Sequence, residues 1–129
     1  MIVRPLVIGG AVWRVIRVAP GDPLLIDRTG QPKLATTDPT TKTIRISTDV
    51  PLDMYDRVYL HEVAHASMVE SGVSDQLSRV AAGRKLVFLE ELLAWFLESH
   101  SIEVIDAASK SLGRPLCIDG LCMRGTENV

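Results

Sequence analysis

Two histidines and a glutamate stand together near the middle of this 129-residue chain, in the order His61, Glu62 and His65. On an α-helix, residues four apart lie on the same face, so the two imidazoles can bring their nitrogens to one metal ion. A carboxylate directly after the first histidine is placed to act as general base toward a water in an open coordination position. The pattern therefore predicts a hydrolytic metal site with zinc as its metal.

The residues around this motif have the pattern of a helix. Apolar residues and both histidines recur at spacings of three and four between Met54 and Val69, so the histidines fall within the apolar stripe. We expect one helix over residues 52–71, with both imidazoles inward and Glu62 at the rim of the site. Burying two imidazoles without partners would cost several kcal/mol, which a metal ion would offset.

A catalytic zinc has three protein ligands plus water, so the motif needs one further group. A histidine close behind it is excluded, since Met68 and Ser71 stand where an extended motif would need glycine and histidine. The adjacent Glu90 and Glu91 lie in a strongly apolar run, where a carboxylate is costly unless it is paired or bound to a cation. We expect Glu91 to be the third ligand and keep Glu90 as the alternative. His100 is the one other histidine, and two exposed surface carboxylates are the structural alternative.

Length and composition indicate one globular domain over residues 1–129. The chain is 47% hydrophobic and 23% charged, a balance typical of folded rather than disordered proteins. Its length suffices for one hydrophobic core and leaves no room for an independent second module. A net charge of −2 without a sustained basic run argues against nucleic acid as the main partner. The sequence does not indicate the oligomeric state.

The apolar opening of the chain raises the question of export or membrane insertion. Arg4, Pro5, Arg14 and Arg17 interrupt it, and no run of 18 apolar residues follows. We therefore expect no signal peptide, no membrane partner and a cytoplasmic location. With only two cysteines, no disulfide framework supports the fold.

The order of predicted elements indicates an α+β fold, mainly β over residues 1–50 and mainly α over residues 51–112. A small antiparallel sheet would precede the motif helix. Its predicted strands are Ala11–Val18 as the first strand, a short one at 24–26, and a hairpin of 34–37 and 43–47. After the motif helix we expect a polar connection with some helical character at 74–84, and then a helix at 86–98 that is apolar all round and therefore buried. A second helical stretch should follow at 102–112.

Residues 113–129 are expected to form a C-terminal tail containing a tight hairpin. Asp119 and Gly120 form a turn dipeptide, so that Cys117 and Cys122 can face each other across it. The pair would be a disulfide or two inert thiols, because two cysteines alone lack the ligands for a second metal site.

One pair of segments carries a resemblance to a known family. The segments are Leu60-His61-Glu62-Val63-Ala64-His65-Ala66 and Glu90-Glu91-Leu92-Leu93-Ala94-Trp95-Phe96. Together they resemble a minimal gluzincin, a zincin class of zinc metallopeptidase whose third ligand is a glutamate on a later helix. They are also similar to small zincin proteins encoded by phages and prophages. The resemblance spans residues 42–100 and implies zinc ligation by His61, His65 and Glu91, with Glu62 as general base.

A hydrolase that cleaves a peptide or protein substrate is the function that the motif and the resemblance favour. The strand at 43–47, just before the motif helix, would then form the sheet edge on which an extended peptide docks. Tyr55, Tyr59 and His100 are candidates for stabilising the oxyanion. The alternative is a catalytically silent zincin-fold binding or structural protein of phage or prophage origin. The short chain favours that alternative, whereas Glu62 favours the enzyme, since a purely structural site does not need this carboxylate.

Overall fold

The computed structural model describes residues 3–27 and 29–122. They form a four-stranded sheet, three helices and a two-stranded hairpin. In chain order the elements are β1 (Val3–Ile8), β2 (Ala11–Val18), a 3-10 turn (Pro23–Leu25), β3 (Ala35–Asp38), β4 (Thr43–Ser47), α1 (Leu52–Glu70), α2 (Val73–Ser78), α3 (Gly83–Leu112), β5 (Cys117–Ile118) and β6 (Leu121–Cys122). The predicted α+β class is confirmed, with an antiparallel-rich sheet followed by the motif helix and further packed helices.

The strand order in the sheet is β1-β2-β4-β3. β1 and β2 form an antiparallel hairpin through Gly9 and Gly10, whose φ angles of 57° and 81° suit a tight two-residue turn. β3 and β4 are also antiparallel, whereas β2 and β4 run parallel, so the sheet is mixed. This order places β4 in the interior and β3 at the edge, which contradicts the prediction that residues 43–47 form the edge strand.

Two details of the N-terminal half also differ from the prediction. β1, rather than β2, is the first strand, and its Pro5 is tolerated because β1 lies at a sheet edge. The predicted short strand at 24–26 is replaced by the 3-10 turn. Asp22 accepts a hydrogen bond from the Leu24 backbone N–H at 2.8 Å, and Pro23 occupies the start of the turn, so local hydrogen bonding prevails over strand pairing.

One face of the sheet packs against α1. The buried residues that form this core are Trp13, Val15, Ala35, Ile44, Ile46, Val50 and Ala66. At the end of α1, Glu70 Oε1 accepts a hydrogen bond from the Trp13 indole at 3.0 Å and one from Lys42 Nζ at 2.6 Å. These contacts fix the position of α1 on the sheet, and with it the position of the motif.

α1 and α3 approach each other through small side chains. Ala64 and Ala94 are 5% and 0% exposed and belong to one buried cluster. His61 and His65 bracket Ala64 in sequence, and Glu91 lies one turn before Ala94. Because alanines allow close contact between the helices, this crossing brings the two histidines and the glutamate together.

α3 differs from the prediction in two ways. Residues 86–98 and 102–112 belong to a single helix, because the polar residues between them include no glycine or proline to end it; the helix ends at Gly113 with φ 71°. The expected burial all round is wrong, since Glu90 and Ala94 are the buried residues of α3 while several large apolar side chains are exposed. Within the ranges that the structure describes, no helix is long and apolar enough to cross a membrane.

The predicted C-terminal hairpin forms between β5 and β6. Cys117 and Cys122 are register partners and are joined by a disulfide bond. Asp119 and Gly120 make the turn with φ angles of 50° and 81°. Residues 123–129 of the predicted tail lie outside the described residues.

Candidate metal centre

His61, His65 and Glu91 converge at the α1–α3 crossing. Nε2 of His61 lies 3.0 Å from Glu91 Oε2, and Nε2 of His65 lies 2.9 Å from Glu91 Oε1. One ligand atom from each side chain falls within 4.8 Å of the others, close enough for all three to hold one metal ion. Two ligand atoms on a tetrahedral zinc ion are about 3.3 Å apart, given zinc–ligand distances near 2.0–2.2 Å. The two nitrogen–oxygen separations, 3.0 and 2.9 Å, are close to this value.

The structure brings Glu91, and not Glu90, to the histidines. The Glu91 side chain is 48% exposed, whereas Glu90 is only 7% exposed and is not part of the group of possible ligands. Of the two adjacent glutamates, the one at the site is therefore the more exposed, because the site opens into a cleft.

The charges at this site favour cation binding. Hydrogen bonds with His61 and His65 hold the pKa of Glu91 well below its usual range, so this carboxylate is an anion at neutral pH. The hydrogen bond to Glu91 in turn raises the pKa of His61, although partial burial opposes the change. Metal ligands must be deprotonated, and a metal ion would therefore compete with the proton on His61.

Glu62 lies beside this group but is not a member of it. It is 7% exposed rather than at the rim as predicted, because edge strand β3 lies across it. The Thr37 hydroxyl lies 3.0 Å from Glu62 Oε1, as a hydrogen-bond donor. Burial raises the pKa of Glu62, with the two nearby imidazoles opposing the shift. Such a carboxylate is a stronger base than an exposed one.

Three residues around the site were missed in the sequence: Thr37, Arg57 and Glu98. Glu98 Oε1 lies 3.9 Å from His61 Nδ1, on the side of the ring away from Glu91. Arg57 donates a hydrogen bond to Glu98 Oε2 at 2.9 Å. A carboxylate that accepts a hydrogen bond from the second ring nitrogen orients a metal-binding imidazole, and the 3.9 Å separation here is longer than such a bond. Helical spacing could have identified Arg57 and Glu98 as neighbours of the site. Arg57 precedes His61 by four residues and Glu98 follows Glu91 by seven, so each lies on the same helix face as a ligand.

The three predicted oxyanion candidates lie elsewhere. Tyr55 and Tyr59 stack on each other with ring centroids 6.1 Å apart and pack against the sheet core. The His100 ring lies against Trp95 and Phe96, at centroid distances of 5.3 and 5.4 Å. The cationic side chains that line the cleft are instead those of Lys33, Arg45 and Arg57.

The site opens into a cleft of about 730 Å³ between α1, α3, β3 and the 3-10 turn. All four residues of Ala35–Asp38 line it, and so do the apolar residues in and around the 3-10 turn: Pro23, Leu24, Ile26 and Leu34. A metal held at one side of this cleft would have room beside it for water and for an extended ligand. Comparisons with protein-family models, with curated proteins and with solved structures find no match for this chain.

Proposed function

We propose that this chain is a zinc-dependent metallopeptidase of the zincin type, with His61, His65 and Glu91 as ligands and Glu62 as general base. One observation carries the proposal: two imidazole nitrogens and a carboxylate converge beside a second, buried carboxylate that is not in the ligand group. Two histidines and a glutamate are a donor set of catalytic zinc sites, and they leave a coordination position for water. Two histidines and one carboxylate alone suit either zinc or iron. The carboxylate of Glu62 beside them supports zinc, because zinc-dependent hydrolysis needs such a base.

The residues of this chain would divide the reaction between them. Bound zinc supplies a Lewis acid that lowers the pKa of water toward about 7 and polarises a carbonyl oxygen. Glu62 accepts the proton of the attacking water and returns it to the leaving amine, a role that its raised pKa supports. Thr37 holds Glu62 Oε1 in place through its hydroxyl, and the Glu98 carboxylate lies near the second ring nitrogen of His61, at 3.9 Å.

The cleft supports a peptide as the substrate. β3 is an edge strand, and all of its residues line the cleft beside the metal site. An extended chain can add to such an edge through main-chain hydrogen bonds, which would place its carbonyl groups along the site. The apolar lining residues Pro23, Leu24, Ile26 and Leu34 would then accept apolar side chains of the substrate.

The test compares the wild type with Glu62→Gln. Both are loaded with one equivalent of zinc and incubated with a complex peptide mixture, and new chain termini are identified by mass spectrometry. We expect the variant to retain one zinc per chain while its cleavage rate falls at least about a hundredfold. Equal cleavage by both proteins would contradict the assignment of Glu62. Zinc binding by a wild type that cleaves nothing would favour the catalytically silent binding protein.

A further inference from the structure

The side of α3 that faces away from α1 carries a row of large apolar residues. The α3 stripe consists of Phe88, Leu92, Trp95, Phe96 and Ile102, which are 64%, 46%, 50%, 47% and 66% exposed. The buried Glu90 and Ala94 lie on another side of the helix. Four of the stripe residues follow spacings of four, three and seven, with Ser99 in the intervening position. This is the periodicity of a helix that packs along its length against another helix.

The stripe is large for a surface that remains in water. An aromatic side chain presents roughly 150–250 Å², so the exposed parts of Phe88, Trp95 and Phe96 amount to about 300 Å². Leu92 and Ile102 bring the total to about 450 Å². A standard protein interface covers about 800 Å² per partner, somewhat more than half of it apolar. The stripe alone thus supplies the apolar share of one side of such an interface.

We propose that the α3 stripe is the interface of a homodimer in which two copies of α3 pack antiparallel about a two-fold axis near Trp95. α3 has 30 residues and is about 45 Å long, so two copies can overlap along the whole stripe. The two-fold axis places Phe88 of one copy beside Ile102 of the other. Each copy then covers the same surface on its partner, as a closed dimer requires.

Charges at the ends of the stripe select the antiparallel arrangement. Lys85 lies three residues before Phe88, and Asp106 lies four residues after Ile102. About an axis near Trp95, Lys85 of one copy comes within a turn of Glu103 and Asp106 of the other, of which Asp106 also pairs with Lys110 of its own helix at 2.9 Å. A parallel arrangement would instead place Lys85 beside Lys85.

The test is the mass of the full chain in solution, measured by sedimentation equilibrium from low micromolar to several hundred micromolar concentration. We expect a reversible dimer of twice 14.1 kDa. Leu92→Glu places a charge in the stripe and should give a monomer with an unchanged circular dichroism spectrum. Val12→Glu is the matched control, since Val12 is 62% exposed on the sheet, and it should remain a dimer. Tryptophan emission should shift to shorter wavelength on association, because Trp95 becomes buried while Trp13 is buried already.

A second variant tests the orientation. Lys85→Glu brings a negative charge near Asp106 of the other copy in the antiparallel dimer, and should weaken association about tenfold at low salt. In a parallel dimer the same change replaces one like-charge pair by another, so the dissociation constant would hardly change. A monomer at every concentration, a larger assembly that does not close, or a Leu92→Glu protein that still dimerises would each overturn the proposal. An unchanged dissociation constant for Lys85→Glu would overturn the antiparallel arrangement.

Discussion

Replacing Glu91 by alanine would remove one of the three candidate ligands and leave both histidines in place. We expect Glu91→Ala to lose the increase in melting temperature that zinc gives the wild type. Glu90→Ala should keep that increase, even if its own melting temperature is lower, because Glu90 is a buried residue outside the ligand group. The difference between zinc-loaded and zinc-free protein is therefore the quantity to compare.

The size of the effect follows from ligand linkage. Free zinc at 100 times its dissociation constant adds about 2.7 kcal/mol to the free energy of unfolding. For a chain of this length that is a rise in melting temperature of about 10 °C. Loss of a supporting residue weakens metal binding about tenfold to a hundredfold, and loss of a ligand should exceed this. If the dissociation constant rises about a thousandfold, the same zinc concentration adds less than about 0.1 kcal/mol, which is not measurable.

Glu91→Ala also has an effect without zinc, and this effect should be small. The variant loses the contacts of Glu91 with His61 and His65 at 3.0 and 2.9 Å. Because the Glu91 side chain is about half exposed, solvent screening limits this loss to about 1 kcal/mol, or about 4 °C. A loss of ligation and a loss of fold stability can thus be told apart.

The assay is thermal unfolding followed by circular dichroism, at fixed pH and with the free zinc concentration set by a chelator. A zinc-induced rise in Glu91→Ala equal to that of the wild type would refute the assignment of Glu91. If Glu90→Ala lost the rise instead, the third ligand would be Glu90. If His100→Ala alone lost it, the site would hold three histidines and the gluzincin resemblance would fail.

Two further predictions concern protons at the site. In the zinc-free protein, the free energy of unfolding should be highest between about pH 4.5 and 6.5. The lowered pKa of Glu91 gives stability that is present above the ordinary value of 4.5 and is lost as the pH falls. The raised pKa of His61 gives stability that is present below 6.5 and is lost as the pH rises through the raised value. Urea unfolding at a series of pH values measures this free energy. A free energy of unfolding that rises steadily from about pH 6 to 8 would contradict the prediction. Thr37→Val should raise the pKa of Glu62, since the hydroxyl hydrogen bond lowers it, and should move the acidic limb of the kcat/KM profile to higher pH while zinc binding is unchanged. Thr37→Ser should restore the wild-type profile, and identical profiles for all three proteins would show that Thr37 does not position the base.

The sequence alone identified the motif and the helix that carries it. His61 and His65 are four residues apart within an apolar stripe, and helix geometry then places both imidazoles on one face whatever the rest of the chain does. The hairpin of β3 and β4 and the Cys117–Cys122 hairpin were also predictable, because turn residues between β-forming residues act locally.

Features that depend on how elements pack were predicted less well. Residues 43–47 were expected at the sheet edge because they directly precede the motif helix, but the parallel pairing with β2 places β4 inside and leaves β3 at the edge. The burial of Glu62 follows from that topology, since Thr37 on β3 covers it. Strand pairing between distant segments leaves little trace in local patterns of hydrophobicity.

The tertiary structure also decided between Glu90 and Glu91, and it showed which parts of α3 are covered. Both glutamates share faces with apolar residues, so helical periodicity could not separate them. The packing of Ala64 and Met68 of α1 with Ala94 of α3 in one buried cluster sets the rotation of α3 against α1, and this rotation brings Glu91 to the histidines. The same rotation leaves Phe88 and Trp95 in solvent. A sequence defines which residues of a helix are apolar, whereas the packing of one helix against another decides which of them are buried, because several rotations bury similar apolar area.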